Sequence, residues 1–231
     1  MQEINTEKPI IGADNNSLMA LLSINLVVYA LIGFLKVVYY LSSYPLEQFY
    51  AQVLHPALLF ANLQILIHQP WSLLTYNWTH NGFWILLNNM LWLTAFGWVL
   101  QRSNANKHLF PIYFYSGLIA GIVFCLLGAT VPLMGAGISV MAIAVAAVVL
   151  QPQFRLLENL GGGIPLWVLG LVYFIIQGFA FLPMAWPIIV VSIIGVSTGA
   201  FYILLLKKGV DLGKWMHQLL HLLNSSLAPK K

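Results

Sequence analysis

Charge is what this sequence has least of. Only 7% of its 231 residues are Asp, Glu, Lys or Arg, against 60% hydrophobic, and the mean hydropathy is +0.85. A soluble domain carries roughly a quarter of its residues charged, so a water-facing globular surface is excluded. One polytopic membrane unit is expected instead. Cysteine is almost missing as well. The single Cys125 lies inside an apolar run, which excludes a disulfide framework and a cysteine-rich metal site. Internal repeats and low-complexity tracts are lacking. The opening MQEINTEKPIIGADNNS is polar and partly acidic, unlike a cleavable signal. No cofactor is expected, nucleic acid is not an expected partner, and the lipid bilayer is.

What is present is a set of six apolar runs, about Leu18–Leu41, Gly82–Leu100, Leu109–Gly128, Leu133–Leu150, Ile164–Leu182 and Trp186–Leu206. Each approaches the ~20 residues that cross a hydrocarbon core, and unpaired backbone groups are not tolerated in lipid, so all six are expected to be helices. The fourth opens with Gly135, Ala136 and Gly137 and is expected to start below the membrane surface. Every Lys and Arg except Lys36 falls on one side if the N-terminus is cytoplasmic. The positive-inside rule then puts both termini in the cytoplasm, and Lys36 can snorkel to the interface.

The chain divides into an N-terminal segment (1–17), a membrane domain (18–206) and a basic, partly amphipathic tail (207–231). Within the domain, residues 42–81 form a long connection read as a partly embedded cap, with Trp71, Tyr76 and Trp78 suited to a membrane interface. In the tail, Trp215, Leu219, Leu222 and Leu223 stand near helical spacing, which predicts a short interfacial helix and then a disordered lysine end.

Four segments carry a family resemblance. QPWSLLTYNWTHNGFWILLNNMLWLTAFG resembles a Trp-Arg-x-x-Thr, then His-x-x-x-x-His-x-x-x-Asn-Met entry to a second helix. YFYSGLIAG resembles a Gly-rich third helix, and LMGAGISVMAI a Gly-x-Ser opening of a fourth. VVSIIGVSTGAFY resembles a sixth helix of pattern Ala-His-x-x-Gly-x-x-x-Gly. In this order and spacing they resemble the rhomboid family of intramembrane serine proteases. The resemblance implies an all-α, six-transmembrane-helix bundle in a bacterial inner membrane. Gly117/Gly121 and Gly195/Gly199 also have their own physical reading, since small residues four apart let helices approach closely in lipid.

The chemistry does not carry over with the scaffold. The family needs a serine, a histidine that takes its proton, and donors for the oxyanion. The histidine of the sixth helix falls on Ser192. The oxyanion histidine falls on Ile85 and its asparagine partner on Asn89, while Ser72 replaces the arginine after Trp71. LMGAGISVMAI reads in two registers. In one, Gly135-Ala136 and Ala142-Ile143 match the flanks and Gly137 stands at the nucleophile. In the other, Gly137-Ile138-Ser139 keeps it. The first accounts for more flanking residues. Two residues rotate a helix by about 200°, so Ser139 cannot stand in for position 137.

All six histidines and all six carboxylates lie in connections or end segments, so no apolar run holds a titratable base. Intramembrane ionisable groups mark chemistry or ion transport, and their lack points away from both. His80, before the second helix, is read as a loop contact and only as a weak alternative base for Ser139. His217 and His221, at i and i+4, offer two ligands only, so no metal site is expected. The reading is a multi-pass, rhomboid-like protein without peptidase activity that binds transmembrane segments of partner proteins. The alternative is an active protease using Ser139.

Overall fold

The computed structural model of the chain describes residues 16–156, 162–181 and 186–218. Helix α1 spans Ser17–Leu41, and the Asn16 side chain caps it by accepting the Met19 N–H at 3.1 Å. The long connection winds into α2 (Leu46–Phe49), α3 (Leu63–His68) and α4 (Ser72–Thr75), joined by tighter or looser turns. Then come α5 (Phe83–Arg102), α6 (Leu109–Leu126), α7 (Gly137–Leu150), α8 (Leu166–Phe181) and α9 (Trp186–Lys207). A two-residue antiparallel pair, β1 (Arg155–Leu156) with β2 (Ile164–Pro165), closes the hairpin between α7 and α8.

By length and apolarity, Ser17–Leu41, Phe83–Arg102, Asn106–Leu126 and Trp186–Lys207 can each cross a membrane, and α7 and α8 are apolar but shorter. The chain is an all-α polytopic membrane protein. Large side chains such as Leu31 and Phe34 of α1, or Leu171 and Phe179 of α8, are exposed on the outer surface. That face suits lipid, not water.

Helix α7 is the central post, buried along most of its length. It packs closest on α9. A Cβ on Gly199 would run into the backbone of Ala142, and one on Gly195 into Ile138. Lipid supplies no hydrophobic drive between helices, so this near approach of backbones is what contact energy α7 and α9 can gain.

The fourth apolar run becomes helical four residues later than its composition suggests. Leu133 exchanges two backbone hydrogen bonds with Leu59 (3.1 and 2.8 Å), and the Gly135 N–H donates to the Tyr76 carbonyl at 2.8 Å. Gly135 holds φ at +89°, a conformation open to glycine and strained for other residues. Residues 133–136 thus clasp the connection instead of extending α7. At 14 residues, α7 is about 21 Å long, short of the ~30 Å hydrocarbon core.

Tyr76 is not an interfacial aromatic. It is fully buried, and its hydroxyl donates to the Gly117 carbonyl at 2.6 Å. Trp78 packs on Tyr113 at 4.7 Å between ring centroids, while Trp71 is half exposed. The tail is helical over 214–218, with Met216 buried. Leu219, His221, Leu222 and Leu223, and all but the last two residues of segment 1–17, lie outside the described residues.

Candidate functional site

The start of α5, the 131–135 segment, the first turn of α7, the middle of α8 and the start of α9 enclose a cavity of about 500 Å³. Its polar wall is made by His80, Asn88, Asn89 and Gln177, and Ile85, Ile138, Ile176 and Ile188 supply apolar wall. Gly137, Asn89 and Ile85, three positions singled out from sequence, therefore come together. A Cβ on Gly137 would stand 3.8 Å from Asn89 Oδ1 and 3.1 Å from Gln177 Nε2. A side chain at 137 would crowd the Gln177 amide, which would have to give by a few tenths of an ångström.

His80 holds the entry of α7. Its Nδ1 lies 3.2 Å from the Trp78 carbonyl, and its Nε2 lies 3.4 Å from the Ala136 N–H. A proton on Nδ1 satisfies both, because Nε2 then accepts. Burial pushes the imidazole down to about 4, offset only in part by the Trp78 bond. A neutral ring is what a buried ring between one acceptor and one donor requires. The ring takes up one of the backbone N–H groups at the start of α7, where no side-chain cap exists.

Ser139 faces the other way. It is fully buried against α6 and the connection, with Oγ 3.0 Å from Asn77 Oδ1 and 2.9 Å from the Tyr113 carbonyl. Two neutral acceptors share its one proton, and the Ser116 hydroxyl stands 3.3 Å away. Asn77 also receives, through its carbonyl, the Tyr113 hydroxyl at 2.8 Å, and Tyr113 reaches Asn25 of α1 at 3.3 Å. This buried polar chain stitches α1, α6, α7 and the connection together. His80 is not among the hydrogen-bond partners of Ser139.

Ser192 does not line the cavity. Its hydroxyl donates back to the Ile188 carbonyl at 2.7 Å, and it borders a separate apolar groove of about 720 Å³ between α7, α8 and α9. Asn88 and Asn89 line the polar cavity, and Ser192 lines the other one. Asn88 accepts from Trp92 Nε1 at 3.1 Å, and both asparagines line the cavity together with Gln177. Gln177 and Asn25 are buried amides of α8 and α1 that the family resemblance does not point to. A lone amide inside an apolar run was the available signal.

Five apolar helices accompany the glycine-packed central α7, and a polar cavity lies at its entry. The Rhomboid domain family matches residues 67–209, well over half of the chain. The chain belongs to the rhomboid family. None of the curated proteins compared with it matches.

Proposed function

We propose that this protein is a rhomboid scaffold that binds transmembrane segments of other membrane proteins without cleaving them. The observation that carries this is the site at the head of α7. At Gly137 there is no side chain to attack a carbonyl, and the Gln177 amide lies close beside the position. Attack inside a bilayer also needs a base at the nucleophile. The resemblance puts the family histidine at Ser192, whose hydroxyl is bonded within its own helix. Ser139, the remaining hydroxyl, gives its proton to Asn77 or to a backbone carbonyl, both too weak as bases to activate it. Asn88, Asn89 and Gln177 are suited to meet the backbone of an unwound helix, and the groove beside Ser192 to meet apolar side chains. The Lys and Arg distribution supports cytoplasmic termini, and the resemblance stated from sequence supports a bacterial inner membrane.

The test takes the purified protein in proteoliposomes with model transmembrane substrates and a fluorophosphonate probe. Neither cleavage nor labelling is expected. Cleavage or labelling that disappears in Ser139→Ala would instead establish the active-protease reading. A photo-crosslinking residue at Trp84, on the rim of the cavity, is expected to capture membrane-protein segments. The same residue at Tyr40, exposed on α1, is expected not to. Equal capture at both sites defeats the binding reading.

A further inference from the structure

At the end of the bundle where α6 begins and α9 ends, three side chains from distant parts of the sequence converge. His108 precedes α6, Asp211 sits in the turn after α9, and His217 lies on the short helix that follows. Their ligand atoms all lie within 4.8 Å of one another. His108 Nδ1 is 3.6 Å from Asp211 Oδ1, and His217 Nε2 is 3.9 Å from Asp211 Oδ2. Sequence spacing pairs His217 with His221 and offers two ligands only. The structure turns it inward instead, toward residues that sequence spacing does not connect.

We propose that His108, Asp211 and His217 bind one divalent transition-metal ion of the Zn²⁺ class, pinning the segment after α9 to the foot of α6. Two imidazoles and one carboxylate form a borderline donor set that suits Zn²⁺, Co²⁺ or Ni²⁺ and not Ca²⁺ or Mg²⁺, which take oxygen ligands. Ligands of a four-coordinate Zn²⁺ stand about 3.3 Å apart at bond lengths of about 2.0–2.1 Å. The two separations from Asp211 exceed that by less than an ångström and no pair of the three stands more than 4.8 Å apart, so side-chain rotation, without backbone movement, is asked to close the set.

Two further observations point to a ligand. Nε2 of His217 is shut off from solvent and has no hydrogen-bond partner among the described residues. A buried nitrogen of that kind is costly unless something else binds it. The carboxylate is already aimed, because Asp211 Oδ1 accepts the Gly213 N–H at 2.8 Å. An outer contact of this kind fixes the orientation of a metal ligand. The Tyr202 hydroxyl, 3.0 Å from His108 Nδ1 in the ion's place, becomes the fourth ligand or yields that contact to the metal, with water then filling the fourth position. The Tyr115 hydroxyl donates to the Leu212 carbonyl at 3.0 Å and receives Trp215 Nε1, so the turn carrying Asp211 is held against α6 before any ion arrives. Lys107 adds an opposing positive charge nearby, which a doubly imidazole-ligated ion has to outweigh.

The experiment uses the full chain in detergent, with any polyhistidine tag removed and the protein stripped by a chelator. Zn²⁺ binding is followed by calorimetry and elemental analysis, and Co²⁺ by its visible absorption. One equivalent per chain and a raised melting temperature are expected. His217→Gln and Asp211→Asn should each weaken binding on the order of a hundredfold. His221→Gln should leave it unchanged. Absence of stoichiometric binding, retention by either of the first two variants, or loss in His221→Gln overturns the proposal. Co²⁺ spectra of the variants, compared with their unchanged elution as folded monodisperse protein, separate ligand loss from misfolding. The outcome is independent of whether the cavity binds transmembrane segments.

Discussion

The Gln177 amide stands 3.1 Å from where a Cβ on Gly137 would be. The two residues, one on α7 and one on α8, line the same cavity. A glycine at 137 and a glutamine at 177 are therefore a matched pair, and each can be tested through the other.

Gly137→Ser is expected to destabilise the protein, because the new side chain crowds an amide that is itself buried. Gln177→Ala leaves room for it. A double-mutant cycle on melting temperature should show a coupling of about 1 kcal/mol in favour of the combined variant. Gly137→Ser alone should remain unlabelled by fluorophosphonate, since restoring a hydroxyl restores no base. Additive effects in the cycle would mean that the two residues do not share the space.

Ser139 is structural, and its removal should cost stability instead of activity. In Ser139→Ala, Asn77 Oδ1 and the Tyr113 carbonyl lose a buried donor, at a cost of about 1–3 kcal/mol. Asn77→Ala should cost about as much and be far from additive with it. Denaturant titration in detergent reads both.

The α7–α9 seam sets a stricter limit. A Cβ on Gly199 meets the backbone of Ala142, which cannot swing aside as a side chain can. Gly199→Ala should destabilise by about 1–3 kcal/mol, and Gly199→Val should prevent recovery of folded protein. Gly178, whose Cβ would meet nothing within 4 Å, is the matched control, and Gly178→Ala should be nearly neutral.

His80 makes the fold sensitive to acid. Its imidazole is held near 4 in the folded chain, against 6.5 when exposed. Between those values the unfolded chain binds the extra proton, so stability present above pH 6.5 falls as pH is lowered toward 4. The full loss is about 3 kcal/mol. Melting curves from pH 8 to pH 4 should show this slope in the native protein and a shallower one in His80→Gln. Equal slopes would place the titration elsewhere.

The helices were legible because lipid permits little else: an apolar run must wind on itself, and six runs were plain to see. The start of α7 was not, because Leu133 is apolar and its departure from helix depends on a partner, Leu59, far away in sequence. Tyr76 misled for a similar reason. Aromatics belong both at interfaces and in cores, and only the Gly117 carbonyl decides between them here. The positions at 85, 89 and 137 were readable from spacing along two helices. Gln177 required knowing which face of α8 turns inward. The grouping of His108 with Asp211 and His217 was beyond reach, since it joins a helix start to a tail through tertiary packing alone.

The unequal helices have a consequence for the surrounding lipid. Two lipid-facing elements differ by nine residues: α1, with 25, is about 37 Å long, and α8, with 16, about 24 Å. A bilayer meeting both must accommodate a tilted long helix on one flank and pinch itself thinner on the other. The compressed flank is the one bordering the Ser192 groove. Lipid beside α8 has a shorter apolar face to cover than lipid beside α1.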